Sequence, residues 1–383
     1  MSKVTLLRHD NYCASTTVAA VRTLLEPLGG ISAFISEGQS VLLKPNLVMG
    51  YPPEKAINTH PTVVRAVALL AREVGASRIG LGDSPGMGSC KAVAEKAGYG
   101  PLMRELDIEC VEFTPKEYEN PDGIYPKLIL AKEMEEFDVV INLAKLKTHG
   151  QMMLTAAVKN HFGLVPGFRK VEWHYKADTN YALFGRIIHD IARVSKTHLH
   201  IVDAITAMDG LGPTAGDPNQ TGFLSAGVDP FAIDTVLMQI LGKDPSEHPP
   251  LAAALELGTL QMKDINVVGE TIDSCKPANW NWPVLHTLRM HGDWVDRYFP
   301  FIAKWLRRQF TAHPKVGKEC KKCGECARIC PAKVIVCEPN TIPVIDLYKC
   351  IRCYCCHELC PHHAMLLTSV GFLGRMLGIG KKG

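Results

Sequence analysis

Ten of the 14 cysteines fall between Cys320 and Cys360; the other four (Cys13, Cys90, Cys110, Cys275) are scattered. Offset by 30 residues, this stretch matches itself. Cys320-Lys-Lys-Cys323-Gly-Glu-Cys326-Ala-Arg-Ile-Cys330-Pro331 aligns with Cys350-Ile-Arg-Cys353-Tyr-Cys-Cys356-His-Glu-Leu-Cys360-Pro361, and both runs read C-x2-C-x2-C-x3-C-P. Two-residue gaps wrap three thiolates around one face of an iron–sulfur cube, and the fourth cysteine, followed by proline, serves the other cluster. A structural zinc site needs only two close pairs and does not repeat a run ending in Cys-Pro. The pattern therefore predicts two [4Fe–4S] clusters, with zinc or disulfides as alternatives. A cube moves one electron at a time, so the stretch argues for electron transfer and leaves its direction open.

Residues 313–370 resemble a bacterial two-cluster ferredoxin module. The resemblance implies a compact pseudo-twofold α+β domain. It assigns Cys320, Cys323, Cys326 and Cys360 to one cluster and Cys330, Cys350, Cys353 and Cys356 to the other. Tyr354 stands where Gly324 stands in the first run, so the second loop is expected to be less tight and its sulfurs more shielded. Cys355 competes with Cys356, but choosing it gives gaps of one and four and breaks the repeat. Cys337 reads as a buried thiol.

A second concentration of chemistry lies between Ile141 and Lys176. Six basic residues (Lys145, Lys147, Lys159, Arg169, Lys170, Lys176) face one acid, Glu172, a local +5 in a chain of +3; His149, His161 and His174 lie among them. Lysines with neutral imidazoles suit an anionic ligand such as a carboxylate or phosphate. A docking patch for an acidic redox partner and a plain solvated face are the alternatives. Nucleotide signals are absent: Gly82-Asp83-Ser84-Pro85-Gly86-Met87-Gly88 lacks Gly-Lys-Ser/Thr, and no G-x-G-x-x-G opens a helix after a strand.

The elements that must position these groups alternate. Val4–Leu7, Val41–Leu43, Ile79–Leu81, Val139–Leu143, Leu199–Val202 and Val267–Val268 are short apolar runs that read as strands buried on both faces. Amphipathic segments separate them, for example Pro61–Gly75, with Pro61 at a first helical turn and Gly75 as a C-cap. The pattern predicts an α/β domain over residues 1–270, a mostly parallel sheet with helices on both faces. Ligand sites in such sheets lie beyond the C-terminal strand ends. Lys44-Pro45-Asn46, Asp83, Lys145, Lys147 and Asp203 are all expected there. Residues 271–312 hold four of the five tryptophans and read as a linker, or as a membrane-surface or partner-docking segment. Residues 371–383 read as a packing tail or a peripheral anchor. With 46% hydrophobic and 21% charged residues, disorder is excluded, and +3 does not mark a nucleic-acid binder. Neither a signal peptide nor a run of ~20 apolar residues is present, so a cytoplasmic location is expected.

The polar runs also resemble the family known as domain of unknown function 362. The matching residues are Lys44-Pro45-Asn46, Thr59-His60-Pro61, Gly82-Asp83-Ser84-Pro85-Gly86, Lys145-Leu146-Lys147-Thr148-His149, Lys159-Asn160, Gly163, Lys170, His174 and Asp209-Gly210-Leu211-Gly212-Pro213. The resemblance implies a shared α/β core and an iron–sulfur, anaerobic context, without a known reaction.

The leading expectation is an iron–sulfur oxidoreductase fed by a low-potential electron donor or redox partner protein. A small anionic substrate would be bound through Asn46, Asp83, Lys145 and Asn160. Lys44, Lys147 and Lys159 would neutralise it, His149 or His174 would deliver protons, and Asp203 or Asp83 would orient one of them. The alternative is a non-catalytic electron-transfer subunit that docks a redox partner. Each loaded cluster carries roughly −2, so two would turn the formal +3 into about −1 and leave the chain dipolar.

Overall fold

In the computed structural model, the structure describes residues 1–283, 302, 305 and 311–368. They fall into two compact units, Met1–Lys170 with Ala182–Trp282, and Val171–Tyr181 with the chain from Pro283 onward.

The first unit is built on a nine-stranded sheet. In chain order its strands are β1 (Ser2–Arg8), β2 (Ser40–Pro45), β3 (Arg78–Gly82), β4 (Ile108–Val111), β7 (Val139–His149), β8 (Met153–Thr155), β9 (Leu199–Asp209), β10 (Asp217–Gly227) and β11 (Ile265–Gly269). A separate hairpin pairs β5 (Pro115–Glu119) with β6 (Lys127–Ala131). The spatial order is β11-β1-β10-β9-β7-β2-β3-β4, with β8 folded back on β7. The run β9-β7-β2-β3-β4 is parallel throughout, whereas β10 is antiparallel to both neighbours. This is an α/β fold with a mostly parallel sheet. Every residue of β7 is buried, as a strand covered on both faces requires.

All six apolar runs are strands, and several extend further than their apolar cores. The helix α2 (Pro61–Glu73) forms where expected. Its N-cap is His60, whose Nδ1 accepts the Thr62 amide at 3.2 Å. Val63, Val64, Ala66, Val67 and Ala68 are buried on this helix, against the core of β2, β3 and β7. Gly75 follows at φ +85°. Strand β10 was not anticipated: its first half, Asp-Pro-Asn-Gln, is polar, and its antiparallel pairing with β9 breaks the βαβ rhythm.

The expected boundary at residue 270 is displaced. The first unit continues to Trp282, whose indole packs edge-on against Trp280, with ring centroids 5.9 Å apart. It cedes Val171–Tyr181 to the second unit, which divides the basic stretch. The expectations for residues 284–301, 306–310 and 371–383 lie outside the described residues.

The second unit repeats its backbone as it repeats its sequence. Strand β12 (His313–Val316) pairs with β15 (Met365–Thr368), and β13 (Ile335–Val336) with β14 (Val344–Ile345). One-turn helices, Glu325–Arg328 and Cys355–Glu358, lie within the two cysteine runs and carry the third cysteine of each. Positive φ recurs at equivalent sites: Lys322 and Arg352, Gly324 and Tyr354, Lys333 and His363. Tyr354 thus keeps the tight left-handed turn that Gly324 adopts (φ 60° and 75°). The strain is offset because Tyr354 is buried and its hydroxyl donates to the Ala312 carbonyl at 3.0 Å. Cys337 is half-buried rather than buried, its thiol facing the Glu338 and Thr341 carbonyls.

A side chain at Gly80 on β3 would meet Phe137 at 2.5 Å and Val111 at 2.9 Å. Gly80→Ala is expected to cost about 1–3 kcal/mol through overpacking, read as a lowered urea midpoint with an unchanged slope.

Candidate functional site

Two loci carry chemistry. In the second unit, Cys320, Cys323, Cys326 and Cys360 line one concavity of about 340 Å³ including its mouth. Cys330, Cys350, Cys353 and Cys356 line another of about 320 Å³. Backbone amides point at four of these sulfurs in matched positions: Lys322 N to Cys320 (3.4 Å), Arg352 N to Cys350 (3.4 Å), Val334 N to Cys330 (3.4 Å) and Ala364 N to Cys360 (3.3 Å). None of the cysteines is in a disulfide. Among the described residues, no three His, Cys, Asp or Glu groups converge tightly enough for a single metal ion. Cys355 lines neither concavity; it is buried in a small cluster with Ile351 and Cys353. Burial pushes the free thiols of Cys326 and Cys350 up to about 11.

In the first unit, buried charges come together at the C-terminal end of β2 and on the lengths of β7 and β9 that run on past it. Lys44, at the end of β2, pairs with Asp83 just beyond β3 at 2.9 Å; they are 0% and 3% exposed. Asp83 also accepts the Leu47 and Ser84 amides at 2.7 and 3.0 Å. Gly163 is pressed onto this pair: a Cβ there would fall 2.0 Å from Asp83 Oδ1 and 2.5 Å from Lys44 Nζ. Half-buried Lys170 donates to the Ser84 carbonyl, and burial pushes its ammonium down to about 7.

On β7, Lys145 and Lys147 point the same way, as residues two apart on a strand must. Lys147 donates to Asn46 Oδ1 (2.6 Å) and to the Ile57 carbonyl (2.7 Å). Lys145 pairs with Asp203 of β9 at 2.8 Å and donates to the Tyr12 hydroxyl at 2.9 Å. Tyr12 donates to Asp203 Oδ1 at 2.8 Å, and the His60 amide donates to Oδ2 at 2.9 Å. The rings of Tyr12 and His60 stack, with centroids 3.6 Å apart. Burial pushes Asp203 up, but Lys145 and the His60 amide outweigh it and hold the carboxyl below its usual range. Burial pushes His60 down to about 4, so it is neutral at pH 7. Its Nδ1 accepts from Thr62, which places its proton on Nε2.

Lys44, Asn46, Asp83, Lys145, Lys147 and Asp203 thus share one end of the sheet. Asn160 joins them, donating to Asn142 Oδ1 at 2.6 Å and lying 3.5 Å from the Lys44 carbonyl; its own Oδ1 is buried without a partner. Lys159 stacks its ammonium on Phe162 at 4.4 Å. His149 is buried, with Nδ1 accepting the Gln151 and Met152 amides, which is the work of a turn cap. His161 bonds the Val158 carbonyl and the Thr197 hydroxyl. His174 lies in Val171–Tyr181, within the second unit. Tyr12 and His60 were not singled out for chemistry: Tyr12 sits in a loop with no motif, and His60 read as part of a helix start. Lys170 stood out as one charge among six and as one residue of the family resemblance, with no role attached.

A doubly covered α/β sheet with buried lysine–carboxylate pairs at its strand ends, joined to a duplicated cysteine unit, defines the class. The chain belongs to the family described as domain of unknown function 362, whose pattern matches residues 41–239. It is 45% identical over 258 residues to a "Thylakoid-associated protein" of Synechocystis sp., covering 67% of this chain and 80% of that one. Among solved structures it is similar to a protein from Thermotoga maritima (12% identity, TM-score 0.35). It is also similar to the lactate racemase apoprotein of Thermoanaerobacterium thermosaccharolyticum (10% identity, TM-score 0.37). Each of these matches spans about half of both chains. Among the described residues no helix is long and apolar enough to cross a membrane.

Asp203 gathers an ammonium, a phenol and an amide in the interior. Asp203→Asn is expected to destabilise the first unit by about 3–5 kcal/mol, because Lys145 is left as an uncompensated buried charge. The double variant Lys145→Met/Asp203→Leu should recover most of that loss in chemical denaturation.

Proposed function

We propose that the chain is an iron–sulfur protein that binds two [4Fe–4S] clusters and uses their electrons to reduce a small anion held at the strand ends of its α/β unit. One observation carries the cluster reading: the two four-cysteine sets that the resemblance implies each line a separate concavity, with amides directed at equivalent sulfurs. Four thiols around each concavity match the four ligands a cube needs, and amide donors are what tune a cluster's sulfurs. Cys320, Cys323, Cys326 and Cys360 would hold one cluster, and Cys330, Cys350, Cys353 and Cys356 the other. When bound, the clusters supply one-electron transfer.

The remaining roles fall to the first unit's own residues. Reduction makes an anionic substrate more negative, so Lys44, Lys147 and Lys170 would stabilise the product-like state more than the starting one. Asp203 and Asp83 hold the buried ammonium groups in place. Lys170, poised near neutrality, is a better proton donor than His149, whose ring caps a turn. Neutral His60 offers Nε2–H as a fixed hydrogen-bond donor. Iron–sulfur chemistry suits a reducing compartment, and we place the chain in the cytoplasm, with peripheral membrane contact suggested by its thylakoid-associated relative.

Anaerobic reconstitution should load about eight iron atoms per chain, two cubes of four. Cys356→Ala should lose about half of them and Cys355→Ala none; loss from Cys355→Ala with none from Cys356→Ala would reverse the ligand assignment. Lys147→Met should abolish turnover and leave the cluster spectra intact. Anion affinity, measured by calorimetry, should hold below pH 7 and weaken as pH rises through about 7, where Lys170 loses its proton. Lys170→Met should flatten that profile, and an unchanged profile would remove Lys170 from the site.

A further inference from the structure

The two four-cysteine sets are alike in backbone and unlike in exposure. In the second set every thiol is buried, with Cys330, Cys350, Cys353 and Cys356 at 6–7%. In the first, Cys323 is exposed and Cys320 and Cys360 are half-buried. Electron tunnelling favours short distances, so whatever exchanges electrons with this unit from solution meets the first set first.

The surface beside Cys323 has two further properties. Lys321 lines the same concavity, and Lys318, Lys321 and Lys322 are all exposed, with no carboxylate partner among the described residues. Of the acids nearby, Glu325 is already paired with Arg328 at 2.7 Å, which leaves Glu319 against three lysines. Pro343 lines the same concavity, and the hairpin of β13 and β14 beside it is apolar on its outer face. Val336 and Val344 face each other directly across the β13–β14 ladder at 64% and 70% exposure; Ile342, two residues before Val344, is 60% exposed. Ile335 and Ile345, the inward pair, are more buried, as strand alternation requires. Exposed lysines and an apolar cross-strand patch thus both adjoin the concavity that holds one exposed thiol. Charge brings a partner in and sets its orientation, while apolar contact holds it.

We infer that this face is the electron port of the chain: a docking surface for a small acidic one-electron carrier protein, seated over Cys323, the Lys318/Lys321/Lys322 rim and the Val336/Ile342/Val344 patch. The inference rests on the cluster reading above. In each encounter one electron passes from the reduced carrier to the chain; no bond is made or broken and no proton moves.

The test uses the full reconstituted chain and an acidic [2Fe–2S] ferredoxin as the probe. Two quantities are read: its affinity in the oxidised state by calorimetry, which needs no turnover, and the second-order rate of electron transfer by stopped flow. Lys321→Glu/Lys322→Glu should lower both at least tenfold at about 50 mM salt and much less at about 500 mM, where charge is screened. Val336→Ser/Val344→Ser should lower affinity severalfold at both salts. Iron content and far-UV circular dichroism should match the parent chain, which excludes misfolding. Unchanged affinity and rate in both variants would overturn the port. So would a charge-reversed chain that no longer sediments with phosphatidylglycerol vesicles but accepts electrons normally, since the face would then be a lipid surface. A parent chain that takes up no iron would instead defeat the cluster reading itself.

Discussion

Two ammonium groups inside a strand with no exposed residue set the terms for the first unit. Lys145 and Lys147 lie on β7, and burying each charge without a partner would cost several kcal/mol. Their neighbours are accordingly committed. Strand β9 must present Asp203 and the loop after β2 must present Asn46. The chain at residue 57 must offer a carbonyl, and Tyr12 must reach in from the first loop. The register of β7 with β9 places Lys145 directly beside Asp203. A slip of one residue would turn both lysines to the other face and leave all these groups unmatched.

The same constraint explains why the strand ends are packed so closely. Gly163 has no room for a methyl group because its backbone covers the Lys44–Asp83 pair and excludes water from it. In such surroundings histidines are driven neutral, as His60, His161 and His248 all are. The imidazoles therefore serve as fixed donors and acceptors, and the lysine nearer the surface titrates near pH 7, as does the buried carboxyl of Asp234, which burial pushes up to about 7.

The cysteine unit obeys a different logic. Its geometry comes from short-range turns, repeated at a spacing of 30 residues, and the left-handed positions recur even where tyrosine replaces glycine. The loop at Tyr354 is as tight as its counterpart, contrary to expectation. The buried phenol, bonded to the Ala312 carbonyl, offsets the strain that glycine avoids. The anticipated shielding holds: Cys350, Cys353 and Cys356 are all buried.

Much was legible without coordinates, for identifiable reasons. Six strands showed as apolar runs because a doubly covered sheet needs them, and strand polarity places Lys44 at the end of β2, whereas β7 runs on beyond its apolar core and takes in Lys145 and Lys147. The grouping of the cysteines around two concavities matches the sets that the resemblance to a two-cluster module implied, since the turns that group them are local. Strand β10 stayed hidden because half of it is polar, and the basic stretch looked like one feature although it is shared between two units. Its charge is plain in the sequence and its meaning is not, because a carboxylate 58 residues away supplies the partner of Lys145. Local chemistry, meaning cysteine spacing, strand polarity and a glycine or proline at a helix end, is written in neighbouring residues and can be read there. Which ammonium is neutralised, which histidine caps a turn, which lysine titrates near neutrality and which thiol meets solvent depend on burial and long-range pairing, and only the folded chain decides them.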